Sequence, residues 1–274
     1  SLSAVEYLRS IAFSGFPWSL IGYIWSDHPI LQLSSVIGPH GLTLLTLLIA
    51  GLPFFSLKPK ILRLILPILL LVGSWTYGYL SVKKTDPYKP TKFVRLIQPN
   101  AAQHEKWDRE LIPVFWKRQL EYTRAASGQS LDLIIWPETI TASLNLNFKS
   151  LMSPIQTMTQ HDTAFILGSP RKENGHYYNT AAFITSKNRL TYDKIQLMPF
   201  GEYWPLKRVF QFFKLDNIIP GSEFTHGKTP TLFDLNAIQI APIICLESTN
   251  SCLSRTYANQ GADILVSLVN NAWF

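Results

Sequence analysis

Two long apolar segments without any charged side chain lie in the first third of the sequence. The first, HGLTLLTLLIAGLPFFSL, covers residues 40–57, and the second, LILPILLLVGSWTYGYLSV, covers residues 64–82. A membrane-spanning helix needs about 20 predominantly apolar residues, because the hydrocarbon core of a bilayer is about 30 Å thick. Each segment therefore predicts a transmembrane helix. The alternative is a buried helical hairpin in the core of a soluble domain.

Residues around these two segments extend the membrane prediction. Trp75, Tyr77 and Tyr79 fall near the end of the second segment, where a belt of interfacial aromatic residues is expected. A third, less apolar stretch at residues 5–25 contains Glu6 and Arg9 one helical turn apart, where the two side chains can pair. We expect two to three transmembrane segments in a membrane domain at residues 1–90. The positions of Lys and Arg do not decide its orientation.

After residue 90 the sequence pattern becomes that of a layered α/β domain. Residues 107–127 place apolar side chains at helical spacing, with acidic residues early and basic residues late. Short apolar, mostly β-rich runs alternate with such segments and are typical of strands buried on both faces. These runs are residues 131–136, 163–168, 179–185, 238–244 and 262–269. Residues 92–99, KFVRLIQP, also alternate like a strand. We therefore predict a second domain at residues 91–274.

The charge and the cysteine content of the chain argue against a nucleic-acid partner and against a metal site. The net charge is +7, but charged residues make up only 16% of the chain and the basic ones are scattered. A nucleic-acid-binding face needs clustered Lys and Arg, so no nucleic-acid partner is expected, and a membrane surface explains the sign better. Cys245 and Cys252 form no CxxC or Cys/His pattern, so no metal is expected. The chain starts at Ser1 and stops at VNNAWF, which suggests a piece of a longer protein.

Three reactive side chains each follow an apolar strand. Glu138 comes after LDLIIW, Lys194 after a strand-like run, and Cys245 after IQIAPII. Strand ends are where layered α/β folds assemble their sites. A thiol needs a base to become a nucleophile, and an ammonium can stabilise a developing oxyanion. Together the three residues predict acyl transfer through a thioester.

Each residue alone has a simpler explanation. A buried Cys is commonly a small core hydrophobe, a Trp-Pro-Glu sequence commonly ends a strand with a solvated acid, and a Lys after a strand is commonly a surface charge. The order of the three types and their strand-end positions make the set specific. Competing motifs such as G-x-S-x-G, G-x-G-x-x-G, a Walker loop and HExxH do not occur.

These residues resemble the nitrilase superfamily, in which a Glu-Lys-Cys triad acts on amide or ester carbonyls within an α-β-β-α sandwich. More narrowly, the chain resembles the bacterial apolipoprotein N-acyltransferase family, which joins a membrane-helix bundle to a nitrilase-like domain. The resemblance runs along the whole chain, and the membrane helices separate this family from soluble nitrilases. The residues that carry it are EYLRS and FSGFPW (6–18), KWD around Trp107, LIIWPET, YNT (178–180), DKIQLMPFGEYWPL, ICLE and NNAWF.

The resemblance implies roles for individual residues. It makes Cys245 the nucleophile, Glu138 the general base and Lys194 the oxyanion partner. Four further positions match residues that support the triad or bind substrate in the family: Glu202, Glu247, Trp107 and Asn179. Leu246 and Asn271 depart from the tyrosine and aspartate common at these positions, but no triad member is lost. The nitrilase-like domain is expected to be incomplete at its C-terminal end, and this piece is expected to be inactive if the missing parts are essential.

The resemblance also implies a reaction and a location. A phospholipid donates one acyl chain to the cysteine, and the amine of a diacylglyceryl-modified lipoprotein accepts it, without any cofactor. The protein would be a multi-pass protein of the bacterial inner membrane, with its catalytic domain facing the periplasm. A membrane-anchored nitrilase-type amidase that uses water shares the triad and remains the alternative. A non-catalytic scaffold would have no reason to keep all three reactive residues.

A segment that mixes phenylalanine with basic residues follows Glu202. PLKRVFQFFKL, residues 205–215, places Lys207, Arg208 and Lys214 among large apolar side chains. Such a segment can lie on a membrane surface as a lid over the site. A helix packed on the domain's own core explains the same pattern equally well.

Overall fold

The computed structural model describes residues 2–12, 17–83, 92–102, 105, 108, 110–139, 163–207, 212 and 223–270. The chain divides into two compact units, residues 1–89 and residues 90–274. Each unit has its own internal packing, so each is described by itself.

Helices build the first unit. These are α1 (Leu2–Ile11), α2 (Ser34–Gly51) and α3 (Leu62–Lys83), with 3₁₀ turns at Ile21–Trp25, Pro29–Leu33 and Leu52–Phe54. Helix α2 is kinked where Gly38 adopts a positive φ of 70° directly before Pro39. Proline cannot donate a backbone hydrogen bond inside a helix, and glycine accepts the left-handed conformation that the bend requires.

Two stretches of this unit are long and apolar enough to cross a membrane, Pro29–Phe54 and Leu62–Lys83. Their apolar side chains are largely exposed, among them Leu64, Leu69 and Val72. The core helix of a soluble protein would bury such side chains, so the outward faces favour membrane helices over a buried hairpin. The first span begins earlier than the predicted residue 40, because the Pro29–Leu33 turn leads directly into α2.

The stretch predicted as a third membrane segment is not one continuous helix among the described residues. Helix α1 ends at Ile11, and Ile21–Trp25 forms a separate 3₁₀ turn. The polar groups predicted to pair instead contact the backbone. Glu6 accepts from the Ile21 amide at 3.4 Å, and Arg9 donates to the Trp18 carbonyl at 2.9 Å.

Two β-sheets form the centre of the second unit. In the first, β1 (Val94–Leu96), β2 (Leu133–Ile135), β3 (Ala164–Glu173), β4 (His176–Ile184) and β5 (Arg189–Asp193) lie side by side in sequence order. The β1–β2 and β2–β3 pairs are parallel, and the β3–β4 and β4–β5 pairs are antiparallel. In the second, β7 (Ile238–Ile244) pairs antiparallel with β6 (Phe233–Leu235) and parallel with β8 (Ile264–Leu268).

The two sheets pack through an apolar core. Phe183 of β4 stacks on Phe233 of β6 with ring centroids 5.2 Å apart. Helix α5 (Ser251–Asn259) adds Leu253 and Tyr257 to the same core. This packing fixes the ends of β2, β5 and β7, which carry the candidate site.

Helix α4 (Ile112–Arg124) packs on a second apolar cluster, formed by other residues of the first sheet. Trp116 of α4 contacts Trp136 edge-on at 5.6 Å, and the fully buried Trp136 indole donates to the Thr123 hydroxyl at 2.9 Å. A buried indole N–H needs such a partner, so this bond fixes α4 above the strand that leads to Glu138.

Most predicted elements of the second unit are confirmed in position, and two features differ. Strand β6, only three residues long, has no counterpart among the predicted runs, because so short a strand carries too little pattern to detect. Strand β8 is not buried on both faces, since Ile264 and Leu265 are about half exposed. Among the described strands, β8 pairs only with β7 and forms an edge of its sheet.

Candidate active site

The predicted acid and lysine lie just beyond the ends of two strands of the first sheet that β3 and β4 separate. Glu138 follows β2 after the Trp136-Pro137 exit, and Lys194 directly follows β5. Glu202 lies on a tight turn in which the amides of Gly201 and Glu202 both donate to the Met198 carbonyl. That turn returns Glu202 towards the lysine.

A buried cluster of charges results. The Lys194 ammonium lies 2.8 Å from Glu202 Oε2 and 3.6 Å from Glu138 Oε1. Asn179, on β4, donates through Nδ2 to Glu138 Oε1 at 2.9 Å and to Glu202 Oε1 at 2.7 Å. The Met198 amide donates to Glu202 Oε2 at 2.7 Å. Each carboxylate therefore contacts the Asn179 amide and the Lys194 ammonium. These contacts offset the free-energy cost of burying two negative charges.

Two opposing effects set the pKa of Lys194. Its side chain is only 1% exposed, and burial disfavours the ammonium form. Attraction by Glu138 and then Glu202 outweighs that effect, so the pKa of Lys194 lies above its ordinary value. The lysine is therefore a fixed positive charge at physiological pH and not a proton acceptor.

Cys245 lies directly after the last residue of β7, where the chain turns sharply. Its φ of 49° is in the left-handed region, which non-glycine residues seldom adopt, and a 3₁₀ turn begins at this residue. The thiol is free and partly buried. A strained backbone at a strand end is a common setting for a nucleophile, because the turn directs the side chain away from the sheet.

The thiol titrates in the field of the charge cluster. Burial, and next the charge of Glu138, raise the pKa of Cys245 to about 11, while Lys194 acts in the opposite direction. These interactions link Cys245 with both other members of the predicted triad. At neutral pH the resting group is the thiol, so a nucleophilic role requires that a base take its proton during attack.

Glu247 does not join the charge cluster but connects the lysine and cysteine segments. Its fully buried carboxylate accepts from the Tyr192 hydroxyl, the Ile195 amide and the Gln196 amide through Oε1, at 2.6, 2.7 and 3.1 Å. Oε2 accepts from the Ile244 amide at 2.8 Å. Burial raises the pKa of Glu247 although these donors act against the shift.

Gly168 lets the Glu138 turn pack against β3. A Cβ at this position would lie 2.7 Å from the Glu138 Cα and 2.8 Å from the Pro137 carbonyl oxygen. Side chains do not approach backbone that closely, so any larger residue would displace the turn that carries Glu138.

The structure thus brings Glu138, Lys194, Asn179 and Glu202 into direct contact, and the charges of Glu138, Lys194 and Glu202 shift the pKa of the Cys245 thiol. Glu247 joins the Lys194 and Cys245 segments through backbone amides of both. Trp107 lies outside the described residues, as do Asn271 and most of the 205–215 segment; Leu246 is fully buried. Sequence reasoning missed the Met198 amide, since a backbone donor leaves no trace in side-chain patterns.

No group of three His, Cys, Asp or Glu side chains in the described part of the chain could hold a metal ion. The predicted absence of metal and cofactor stays a prediction.

Comparison with known proteins places the chain in a family. Residues 94–274 match the model for carbon-nitrogen hydrolases. The chain therefore belongs to the carbon-nitrogen hydrolase family, which confirms the nitrilase-like α/β fold with mixed sheets. Residues 1–52 match the model for the apolipoprotein N-acyltransferase N-terminal domain. This second match confirms the narrower resemblance predicted from the sequence.

Individual relatives agree with these models. The apolipoprotein N-acyltransferase of Photobacterium profundum is 29% identical over 289 residues, and the match covers 98% of this chain and 54% of that protein. The same enzyme of Rickettsia prowazekii is 30% identical over 283 residues, covering 98% of this chain and 56% of that protein. The chain thus spans about half the length of these relatives. Among solved structures, an amidase from Nesterenkonia sp. is similar at 16% identity and a TM-score of 0.46, covering 66% of each chain.

Proposed function

We propose that the chain carries the catalytic residues of an N-acyltransferase. It moves a fatty acyl chain from a phospholipid to the N-terminal diacylglyceryl-cysteine amine of a lipoprotein, through a thioester on Cys245. The observation that carries this proposal is the combination of two matches in one chain, the N-terminal domain of apolipoprotein N-acyltransferases and a carbon-nitrogen hydrolase domain.

The first half-reaction starts from the protonated thiol. Glu138 takes the thiol proton while the sulfur attacks the ester carbonyl carbon, so a C–S bond forms and negative charge develops on the carbonyl oxygen. The Lys194 ammonium stabilises that charge. Collapse of the intermediate breaks the bond to the glycerol oxygen, and Glu138 returns its proton to that oxygen. The products are a lysophospholipid and the acylated cysteine.

In the second half-reaction the cysteine sulfur is the leaving group and the lipoprotein amine is the nucleophile. The lipoprotein amine attacks the thioester carbonyl, a C–N bond forms and the C–S bond breaks. Glu138 takes a proton from the nitrogen and passes it to the departing sulfur, which restores the thiol. Glu202 and Asn179 hold Glu138 and Lys194 in place, and no metal or cofactor takes part.

The apolar helices fit such substrates. Both the donor and the acceptor are held in a bilayer by their acyl chains, and removing them into water is unfavourable by about 0.8 kcal/mol for each CH₂ group. A protein with helices long enough to span the membrane meets both substrates where they reside. We place residues 1–90 in the bacterial inner membrane and the catalytic domain, residues 91–274, on its periplasmic side.

Mass spectrometry of the reconstituted protein tests the proposal. In phospholipid vesicles, the mass should rise by one acyl chain on Cys245, and a lipopeptide with a free N-terminal amine should remove it. Cys252→Ser should keep the adduct and Cys245→Ser should lose it. An N-acetylated lipopeptide provides the acceptor control. Discharge of the adduct by water alone would replace the transferase with a hydrolase. Because the chain spans about half the length of its relatives, a protein that spans their full length and still never forms an adduct would remove both.

A further inference from the structure

The lysine and the cysteine of the site belong to different sheets. Lys194 follows β5 of the first sheet, and Cys245 follows β7 of the second. Backbone pairing within either sheet therefore cannot fix the distance between the ammonium and the thiol. The packing of the two sheets sets the approximate separation of the two strand ends, and links between the two segments refine it.

Glu247 provides one link, and a pair of side-chain amides provides another. Asn250 Nδ2 donates to Gln196 Oε1 at 2.7 Å. Gln196 lies two residues after the lysine, and Asn250 lies just beyond the 3₁₀ turn that begins at Cys245. We call this pair, Gln196 and Asn250, the amide clasp.

The clasp is anchored to a rigid element. Asn250 is the N-cap residue of α5, and its Oδ1 accepts from the Leu253 amide at 3.0 Å. A side chain that caps a helix is held in one conformation, since it satisfies an otherwise unpaired backbone donor. The other end of the same amide group is thereby aimed at Gln196. Both sides of the clasp are half-buried, which protects the bond from competition with water.

We infer that Gln196 and Asn250 are positioning residues that hold the Lys194 segment against the Cys245 turn. The inference rests on the proposed function, because only a reaction at the thiol makes this distance matter. The ammonium acts against burial and against the charges of Glu138 and Glu202, and it favours the thiolate. Coulombic attraction falls with distance, so a loosened segment would weaken that contribution without touching any reacting group.

Alkylation of Cys245 tests this inference without phospholipid or lipoprotein. The full chain carries Cys252→Ser, and iodoacetamide labelling at pH 8 is followed by mass spectrometry. Gln196→Met keeps the side-chain length but removes the acceptor. Asn250→Ser keeps a good helix cap but cannot reach Gln196. Gln239→Met is the matched control, because its amide donates to Asp234 at 2.8 Å far from the site.

Each clasp variant should be alkylated about 3–10-fold more slowly than the parent, a change of up to about one pKa unit. The double variant should be no slower than the slower single variant, since both changes break the same bond. Gln239→Met should label at the parental rate. If the two residues had only a structural role, replacing them would increase the labelling rate, because local unfolding exposes the thiol. Unchanged or faster labelling of the clasp variants overturns the inference. If the clasp variants are labelled more slowly but the parent protein transfers no acyl chain, the proposed function is refuted and the positioning role of the clasp is not.

Discussion

Replacing Glu138 with glutamine should make the Cys245 thiol more acidic and yet abolish acyl transfer. The substitution removes one negative charge and leaves an amide oxygen that can still accept from Asn179. Lys194 keeps Glu202 as its partner at 2.8 Å, so the local structure should persist. The net charge facing the thiol becomes less negative, and the thiolate becomes easier to form.

The size of the effect follows from the charges around the thiol. A charge within about 4–6 Å shifts a neighbouring pKa by about 1–3 units, and the lower end applies because Lys194 already offsets part of the field. With a pKa of about 11, about one molecule in a thousand carries a thiolate at pH 8. A decrease of about one unit raises that share about tenfold. The pH profile of alkylation therefore moves to lower pH by about one unit.

Two assays on the same variant separate the roles of Glu138. Iodoacetamide labelling of Cys245 from pH 7 to pH 10, in the Cys252→Ser background, gives the thiol pKa. Transfer of an acyl chain from phospholipid to a lipopeptide gives the activity, which should fall at least a hundredfold because the proton acceptor is lost. Glu121→Gln, on the exposed surface of α4, is the charge-matched control. An unshifted labelling profile, or retained transfer, would refute the assignment of Glu138 as a base beside the thiol.

Three further predictions concern the stability of the two units. Gly78→Val should lower the thermal stability of the first unit in detergent, because a Cβ there would overlap the Pro29 carbonyl, whereas Ser74→Ala in the same helix should be tolerated. Arg95→Met should reduce the free energy of urea unfolding by about 1.5–3 kcal/mol, since its guanidinium donates to carbonyls at the end of α4; a loss under 0.5 kcal/mol would contradict this reasoning. Lys194→Met should cost about 3–5 kcal/mol in the same assay at pH 8, because two buried carboxylates lose their counter-charge, and an unaltered unfolding curve would show that they are not ionised.

The strand ends that carry the site could be predicted from the sequence, because each depends on a local pattern. Apolar β-rich runs before Glu138 and Cys245, and a strand-like run before Lys194, indicated three strands, and the structure has β2, β5 and β7 there. Hydrophobic side chains must be buried wherever the chain folds, so their spacing marks strands without knowledge of their partners. The type of each reactive residue then indicated the chemistry.

The contacts within the site could not be predicted in the same way. Glu138 and Lys194 are separated by many residues along the chain but lie 3.6 Å apart. Asn179 bridges two carboxylates only because β4 lies beside β3 and β5. The sequence resemblance grouped Glu202 with Glu247, yet the first contacts the lysine and the second contacts backbone amides of both segments. Nothing in the local sequence of either glutamate distinguishes these environments.

The sequence by itself determined the membrane-spanning lengths, the α/β pattern and the identity of the reactive residues. These properties depend on the composition and periodicity of short stretches of sequence. They can be read without knowledge of any long-range contact. Tertiary structure alone decided which sheet each strand joins and which side chains share a buried charge cluster. The physical reason is that such contacts join residues from separate strands, and only the packing of both sheets around one core brings those strands together.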